Sequence, residues 1–251
     1  MNQLDLAKPL AGFIRFRQLE VNETGKDYFV GDLCGQFHLL QKALRKAQFN
    51  IRHDRLFTTG NFIDYGNDSA QLLDLLAEPW FYSVLGIHEL LMLDALESGH
   101  YLHWYVQGGH WAFDQDIRLK VDLAPAVNAV LKLPLAYLIP QKKHRVIGLV
   151  SRMPLEDFSA EGFAMAGTGQ LFDCLSSDRA PRQKAQIYPQ ADCIVVGGVA
   201  AKKCWARGNV VGINQGGQYR PKLGSLTIIK RKKLMKLTEK QPAFIPLQTE
   251  G

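Results

Sequence analysis

Apolar residues in the first half of the chain alternate between short continuous runs and runs with helical spacing. Three short, mostly apolar runs, each followed by glycine, predict buried strands: residues 27–30, 55–59 and 81–85. A run of apolar residues at helical spacing follows each of them: residues 37–47, 70–77 and 89–97. This β-α-β-α-β-α order predicts an α/β fold.

The second half is richer in strand-like segments, which are short and apolar: residues 135–139, 146–150, 193–196, 210–213 and 226–229. The last of these, with a basic turn at residues 230–233 and a second strand at residues 234–237, predicts a terminal hairpin. Residues 107–126 fit no regular pattern. After Gln241, two prolines predict a loosely docked arm.

Composition limits the class of protein. With 251 residues and 47% hydrophobic content, we expect one globular domain over residues 1–251, with a core at 27–237 and a C-terminal arm at 238–251. No apolar run approaches the ~18 residues of a membrane span, and the first residues lack a signal-peptide pattern, so we expect a cytoplasmic protein without a membrane span. The four cysteines form no CxxC pair and predict free thiols.

Charge is concentrated at the C-terminus. The net charge is +6, and residues 220–251 contain eight Lys and Arg against two Glu, so the rest of the chain is close to neutral. The cluster Lys230, Arg231, Lys232 and Lys233 is a candidate surface for an anionic partner such as nucleic acid or acidic lipid. A solvated hairpin turn would account for the same residues.

Three predicted strands end in related motifs: GDLCG at residues 31–35, GNFIDYG at 60–66 and GIHE at 86–89. Together they resemble the calcineurin-like metallophosphoesterases, most closely the small bacterial and phage Ser/Thr protein phosphatases, which carry GDxHG, GDxxDRG and GNHE. GGHW at residues 108–111 supports the resemblance, and weaker matches continue to about residue 237. The resemblance implies an α/β fold with a metallophosphoesterase-like two-sheet sandwich flanked by helices.

The family uses two divalent ions, such as Mn²⁺, held by six ligand positions. The resemblance puts these positions at Asp32, Cys34, Asn61, Ile87, Ser151 and Gly198. Only Asp32 keeps the family's residue type, and four of the replacements are poor ligands or lack a donor atom. One carboxylate cannot hold two divalent cations. From these losses we expect no dinuclear centre and no cofactor.

The positions that bind phosphate in the family have changed as well. Two of its arginines are replaced, by Tyr65 and Leu85, and a third is either lost or shifted to Arg179. Asp64 and His88 match a family pair in which the carboxylate orients a general-acid imidazole. We expect them to remain hydrogen-bonded as a vestigial pair that joins two loops, and we expect no catalytic residue.

Three functions follow from these residues. The first is a catalytically inactive pseudophosphatase that acts by binding an unknown protein partner. The alternative is a Ser/Thr protein phosphatase or phosphoesterase with a depleted or mononuclear metal site, for which Asp32, Cys34 and His88 are possible ligands. The second alternative is an anion- or nucleic-acid-binding protein that uses the basic C-terminal hairpin.

Overall fold

The protein is built on two β-sheets, in a computed structural model that describes residue 10, residues 12–216 and residues 226–246. The strands of this described part are β1 (Phe16–Gln18), β2 (Asp27–Val30), β3 (Arg55–Thr58), β4 (Phe81–Ser83), β5 (Ala136–Gln141), β6 (Arg145–Val150), β7 (Cys193–Val196), β8 (Trp205–Arg207), β9 (Val210–Gly212) and β10 (Ile229–Lys230). Its α-helices are α1 (Phe37–Ala47), α2 (Ser69–Asp74), α3 (Ile87–Ser98), α4 (Leu102–Val106), α5 (Ala124–Val130), α6 (Ala160–Met165), α7 (Thr168–Ser176) and α8 (Arg231–Lys240).

The smaller sheet has the strand order β10-β2-β3-β4, and the larger has the order β1-β5-β6-β7-β9-β8. In the smaller sheet β2, β3 and β4 are parallel, and in the larger one β6, β7 and β9 are parallel. Parallel strands end at the same edge of their sheet, so the loops after each set lie together. This α/β fold of two sheets with helices against them is the architecture that the motifs predict.

Aromatic and aliphatic side chains fill the space between the sheets. Phe29 of β2 and Phe57 of β3 stack with ring centroids 5.3 Å apart, and Phe57 meets Tyr137 of β5 edge to face at 6.2 Å. All three rings are buried. The contact between Phe57 and Tyr137 joins the two sheets, since β3 and β5 belong to different ones.

The prediction of a C-terminal hairpin is wrong. Residues Ile229–Lys230 pair with β2 as a two-residue antiparallel strand, but the basic segment that follows is the first turn of helix α8 and not a turn between strands. The helix forms because Leu234 and Leu237 are three residues apart and pack inward, while Met235 and Lys236 between them are good helix formers. The basic cluster Lys230, Arg231, Lys232 and Lys233 therefore lies at the start of a helix.

Several helices and strands lie where the spacing of apolar residues predicts no element. Helices α6 and α7 and the edge strands β1 and β8 were not predicted, and the unassigned residues 107–126 contain a short 3₁₀ helix at Gly109–Ala112 and the start of α5. All four cysteines are buried, and none of them forms a disulfide. In the described part no helix is long and apolar enough to cross a membrane. The cytoplasmic location and the single-domain assignment stay predictions.

The C-terminal arm contacts the larger sheet as far as the structure describes it. The Phe244 ring meets Trp205 of β8 edge to face at 6.0 Å, and the Lys202 amide donates to the Ile245 carbonyl at 3.0 Å. Residues 247–251 of the predicted arm lie outside the described residues.

Candidate active site

Asp32 lies directly after β2, where loops from both sheets meet. Its Oδ1 accepts hydrogen bonds from the Thr59 hydroxyl (2.8 Å) and the Gly198 amide (3.3 Å). Its Oδ2 accepts from the side-chain amides of Asn61 and Asn214, both at 3.1 Å. The carboxylate is buried, and each of its oxygens is engaged by two donors.

Arg152 supplies positive charge beside this carboxylate. Burial raises the pKa of Asp32 to about 6, and the Arg152 guanidinium is the largest of the influences that oppose this rise. The side chain runs over Gly198, where an added Cβ would lie 2.7 Å from the Arg152 Cγ. Arg152 also forms an ion pair with Asp178. A larger residue at position 198, such as the family's histidine, would require Arg152 to move.

The second carboxylate, Asp64, is fully buried and receives three side-chain donors. His88 Nδ1 lies 2.8 Å from Oδ2, which is the hydrogen bond that the motifs predict. The indole N–H of Trp111 donates to Oδ1 at 2.8 Å, and that of Trp104 lies 3.1 Å from both oxygens. The Tyr65 ring meets His88 edge to face at 5.1 Å. Nδ1 is held by Asp64, so Nε2 is the nitrogen of His88 that is available for other chemistry.

Glu89 holds the loop that carries Asn61 and Asp64. It is fully buried, and its carboxylate accepts hydrogen bonds from four backbone amides, those of Asn61, Phe62 and Gly86 at 2.9 Å and that of Ile63 at 3.3 Å. Burial raises its pKa to about 7, although the amide donors favour the ionised form. Glu89 therefore fixes the relative positions of the loops after β3 and β4.

Several positions that the resemblance assigns to metal ligands or to phosphate-binding arginines are buried or packed against the core. Cys34 is buried in a tight turn at a φ of 47°, and Leu85 is fully buried in the core. Ile87, at the start of α3, packs against the core, and the Ser151 hydroxyl is buried without a hydrogen-bond partner. The described residues that border Asp32 leave a cavity of only about 10 Å³ there.

Sequence reasoning missed several residues that define the site. Thr59 and Asn214 bond Asp32, Arg152 lies beside it, and the tryptophans of residues 104–111 bond Asp64. Arg179, the possible shifted phosphate clamp, is instead an exposed side chain paired with Asp173. The available signals were polar residues directly after strands, at Thr59 and Asn214, and the arginine that follows Ser151.

Across the residues that the structure describes, no three His, Cys, Asp or Glu side chains come together as a possible metal-binding group. The three suggested zinc or nickel ligands, Asp32, Cys34 and His88, are thus not such a group. The dinuclear ligand set implied by the family is also incomplete, because Ile87 and Gly198 have no side-chain donor atom.

Comparisons with known proteins agree with one another. The family model described as calcineurin-like phosphoesterase matches residues 28–168, more than half of the chain. A serine/threonine-protein phosphatase 2 of Escherichia coli K12 is 38% identical over 100 residues, which is 40% of this chain and 46% of that protein. A serine/threonine-protein phosphatase 1 of Salmonella typhimurium LT2 is 38% identical over 96 residues, 38% of this chain and 44% of that protein. These matches span under half the length of either relative.

Solved structures share the fold. The structure of a protein assigned as a diadenosine tetraphosphatase superposes with a TM-score of 0.61 at 17% identity, covering 87% of this chain and 98% of that one. A serine/threonine phosphatase from Saccharomyces cerevisiae gives a TM-score of 0.52 at 14% identity, covering 85% of this chain and 77% of that one. At these identities the likeness concerns the fold.

The expectation of no cofactor is wrong. The matching family consists of metal-dependent phosphoesterases, and its members need divalent ions. The described side chains do not fit the family's two-ion centre, since Asp32 is the one carboxylate among its six ligand positions. They fit a single hard cation by donor type alone. Asp32, Asn61 and Asn214 carry the carboxylate and amide oxygens that Mg²⁺ and Mn²⁺ prefer, but both amides turn their nitrogens to Asp32 and their oxygens to the backbone amides of His88 and Gly216, so an ion would require them to turn.

Proposed function

Since the chain belongs to the calcineurin-like phosphoesterase family, we propose that it is a phosphoester hydrolase with a reduced site that uses one divalent ion. The observation that carries this proposal is the complete Asp64–His88 pair, with its 2.8 Å hydrogen bond and two indole donors behind the carboxylate. A pair that served only to join two loops would not need an imidazole with one nitrogen left available.

His88 has the features of a general acid. Asp64 accepts from Nδ1 and orients the ring, so Nε2 can give its proton to the leaving oxygen as the ester bond breaks and a water oxygen bonds to phosphorus. The buried indole groups of Trp104 and Trp111 hold Asp64 in place by donating to it. The Tyr65 ring packs against His88.

Asp32, Asn61 and Asn214 are the residues that would hold the ion. When bound, a divalent ion supplies Lewis-acid polarisation of a phosphoryl oxygen. Arg152 is the nearby guanidinium that would bind another phosphoryl oxygen, in place of the family arginines replaced by Tyr65 and Leu85. The similarity to Ser/Thr protein phosphatases, over 100 and 96 residues, supports phosphoserine and phosphothreonine as substrates.

A pseudophosphatase that binds a partner without hydrolysis is the second candidate. The observation in its favour is that the Asp32 carboxylate already accepts four hydrogen bonds, so a cation must compete with Thr59, Asn61, Asn214 and Gly198 for its oxygens. The hydrolase should show both turnover and bound metal, whereas the pseudophosphatase should show neither.

The test is hydrolysis of p-nitrophenyl phosphate and of a phosphothreonine peptide with Mn²⁺, together with metal content by mass spectrometry. We expect up to one Mn²⁺ per chain and a turnover that falls about 100-fold in His88→Asn, the lower end of what a general acid contributes. His103→Asn, at an exposed histidine on α4, is the control and should keep its activity. Wild-type protein without turnover or bound metal would replace this proposal with the pseudophosphatase.

A further inference from the structure

A second polar site lies at the far edge of the smaller sheet, away from Asp32. It is a cavity of about 220 Å³, here called the basic cavity, and five cationic side chains line it: Lys26, Lys142, Lys230, Arg231 and Lys232. Asp27 begins β2 and also lines the cavity, whereas Asp32 follows the end of the same strand. Five residues of extended chain put roughly 16 Å between these two positions.

The five cations are not neutralised by any described residue. Lys142 Nζ donates to the Glu23 carbonyl at 2.6 Å, and Arg231 donates to the Lys142 carbonyl, so both bond neutral oxygens. Lys230 Nζ lies 5.3 Å from the centre of the Tyr28 ring. No ion pair joins any of the five to a carboxylate in the described part of the chain. Their mutual repulsion is thus left without a balancing charge.

The one carboxylate at the cavity, that of Asp27, is already paired. Arg55 donates to both of its oxygens at 2.8 Å, and the Gln141 amide donates to it as well. Asp27 is buried, with its charge directed to Arg55 and not to the cavity. The Lys230 ammonium lies over Tyr28, which is not a lining residue, so the lining presents an excess of about four positive charges to whatever occupies the space.

The start of helix α8 adds to this excess. Its first residues, Arg231, Lys232 and Lys233, are basic, no acidic residue lies in its first turn, and no side chain caps it. Positive charge at a helix N-terminus is unfavourable, because the unbonded amides there already carry partial positive charge. Sequences normally avoid this arrangement, and an anion in the adjoining cavity would compensate for it.

We propose that the basic cavity binds the oligophosphate group of a small molecule. Three or more phosphates match the number of unpaired cations, and Lys and Arg are the side chains that bind phosphate oxygens. A volume of about 220 Å³ accommodates a short phosphate chain. The site is separate from the phosphoesterase site, so each can fail without the other.

The test uses the full chain and isothermal titration with tripolyphosphate, ATP and sulfate. Lys26→Gln with Lys232→Gln removes two cations whose side chains make no described contact. Lys132→Gln with Lys184→Gln removes two exposed lysines from elsewhere and is the matched control. We expect tripolyphosphate to bind at least about tenfold more tightly than sulfate, and the first pair to weaken it about tenfold while the control changes little.

Two further arms identify the ligand and the site. Tighter binding of ATP than of tripolyphosphate would identify a nucleotide as the source of the phosphates, and equal binding would identify the bare phosphate chain. Asp32→Asn should keep the affinity, because Asp32 is at the other edge. Equal loss in both lysine pairs, loss in Asp32→Asn, or tighter binding of a single-stranded oligonucleotide than of either phosphate ligand would overturn the proposal.

Discussion

The two buried carboxylates of the active site are held by different kinds of donors. Asp64 receives two indole N–H groups and His88, and an indole nitrogen can only donate. Asp32 receives a hydroxyl, two side-chain amides and one backbone amide. The hydroxyl can turn to accept, whereas the two side-chain amides are held by backbone amides that donate to their oxygens. The donors to Asp64 therefore offer no acceptor, whereas the Thr59 hydroxyl beside Asp32 can accept from a protonated carboxyl.

The two halves of the site also differ in how closely they follow the family resemblance. Asp64 and His88 keep the residue types that the resemblance gives them, although Tyr65 beside His88 stands where it gives an arginine. Of the six ligand positions that the resemblance assigns, Asp32 alone keeps its residue type. Arg152, which the family pattern does not predict, contributes there the positive charge that burial of Asp32 calls for.

Glu89 supports both halves, so its loss should have the largest effect. Glu89→Gln replaces one acceptor oxygen by an amide that faces backbone donors, and at least two of four buried N–H groups lose their partner. We expect the free energy of unfolding to fall by about 4 kcal/mol. Urea denaturation measures it, with Glu97→Gln, exposed on the same helix, as the control. A loss below about 1 kcal/mol would contradict the role of Glu89 as the anchor of both loops.

Asp64→Asn and Asp32→Asn compare the two buried carboxylates directly. The indole N–H groups of Trp104 and Trp111 still point at residue 64, and one of them then faces the NH₂ group of the new amide. We therefore expect the free energy of unfolding to fall by about 3 kcal/mol and the fluorescence of both tryptophans to change. Asp32→Asn should cost less than about 1 kcal/mol at pH 8, because the Thr59 hydroxyl can turn to accept from the new amide and the change removes a buried charge. Similar losses of unfolding free energy in the two variants would show that the donors around Asp64 and those around Asp32 do not differ in this way.

The sequence predicts the site best where its parts lie close along the chain. The strand ends at residues 31–35, 60–66 and 86–89 belong to consecutive parallel strands, so their pairing of Asp64 with His88 follows from the motifs. The donors to Asp32 come from farther away: Asn214 is 182 residues distant and belongs to the other sheet. No local pattern records that the two sheets meet there.

Helix α8 shows a different limit. Residues 230–237 contain a lysine run between apolar residues, which suits a strand, a turn and a strand as well as a helix. Tertiary contacts decide, since burial of Leu234 against the interior favours the helix. The same packing brings Arg231 and Lys232 to the start of β2 and so creates the basic cavity.

The ionisation of Asp32 should also make the stability of the protein depend on pH. The pKa of Asp32 is 3.8 when unfolded and about 6 when folded, so between these values the folded chain binds more protons and its stability falls as pH rises. We expect a loss of up to about 3 kcal/mol across this window in wild type and its absence in Asp32→Asn. Subtracting the two denaturation series removes the parallel effect of Glu89, which occurs in both. Identical pH profiles would show that Asp32 ionises freely in the folded state.

Arg152→Gln should produce the smallest change in stability, and it tests whether Arg152 is the local counter-charge of Asp32. The guanidinium favours the ionised form of Asp32, so its loss raises the pKa of that carboxyl further and moves the end of the stability loss to higher pH. The associated change at pH 7 should be on the order of 0.5 kcal/mol, since Arg152 is partly exposed and paired with Asp178. Arg179→Gln removes another arginine paired with an aspartate and should leave the pH window in place. If both variants shift it equally, the effect belongs to the net charge of the protein, and Arg152 does not serve as the local counter-charge of Asp32.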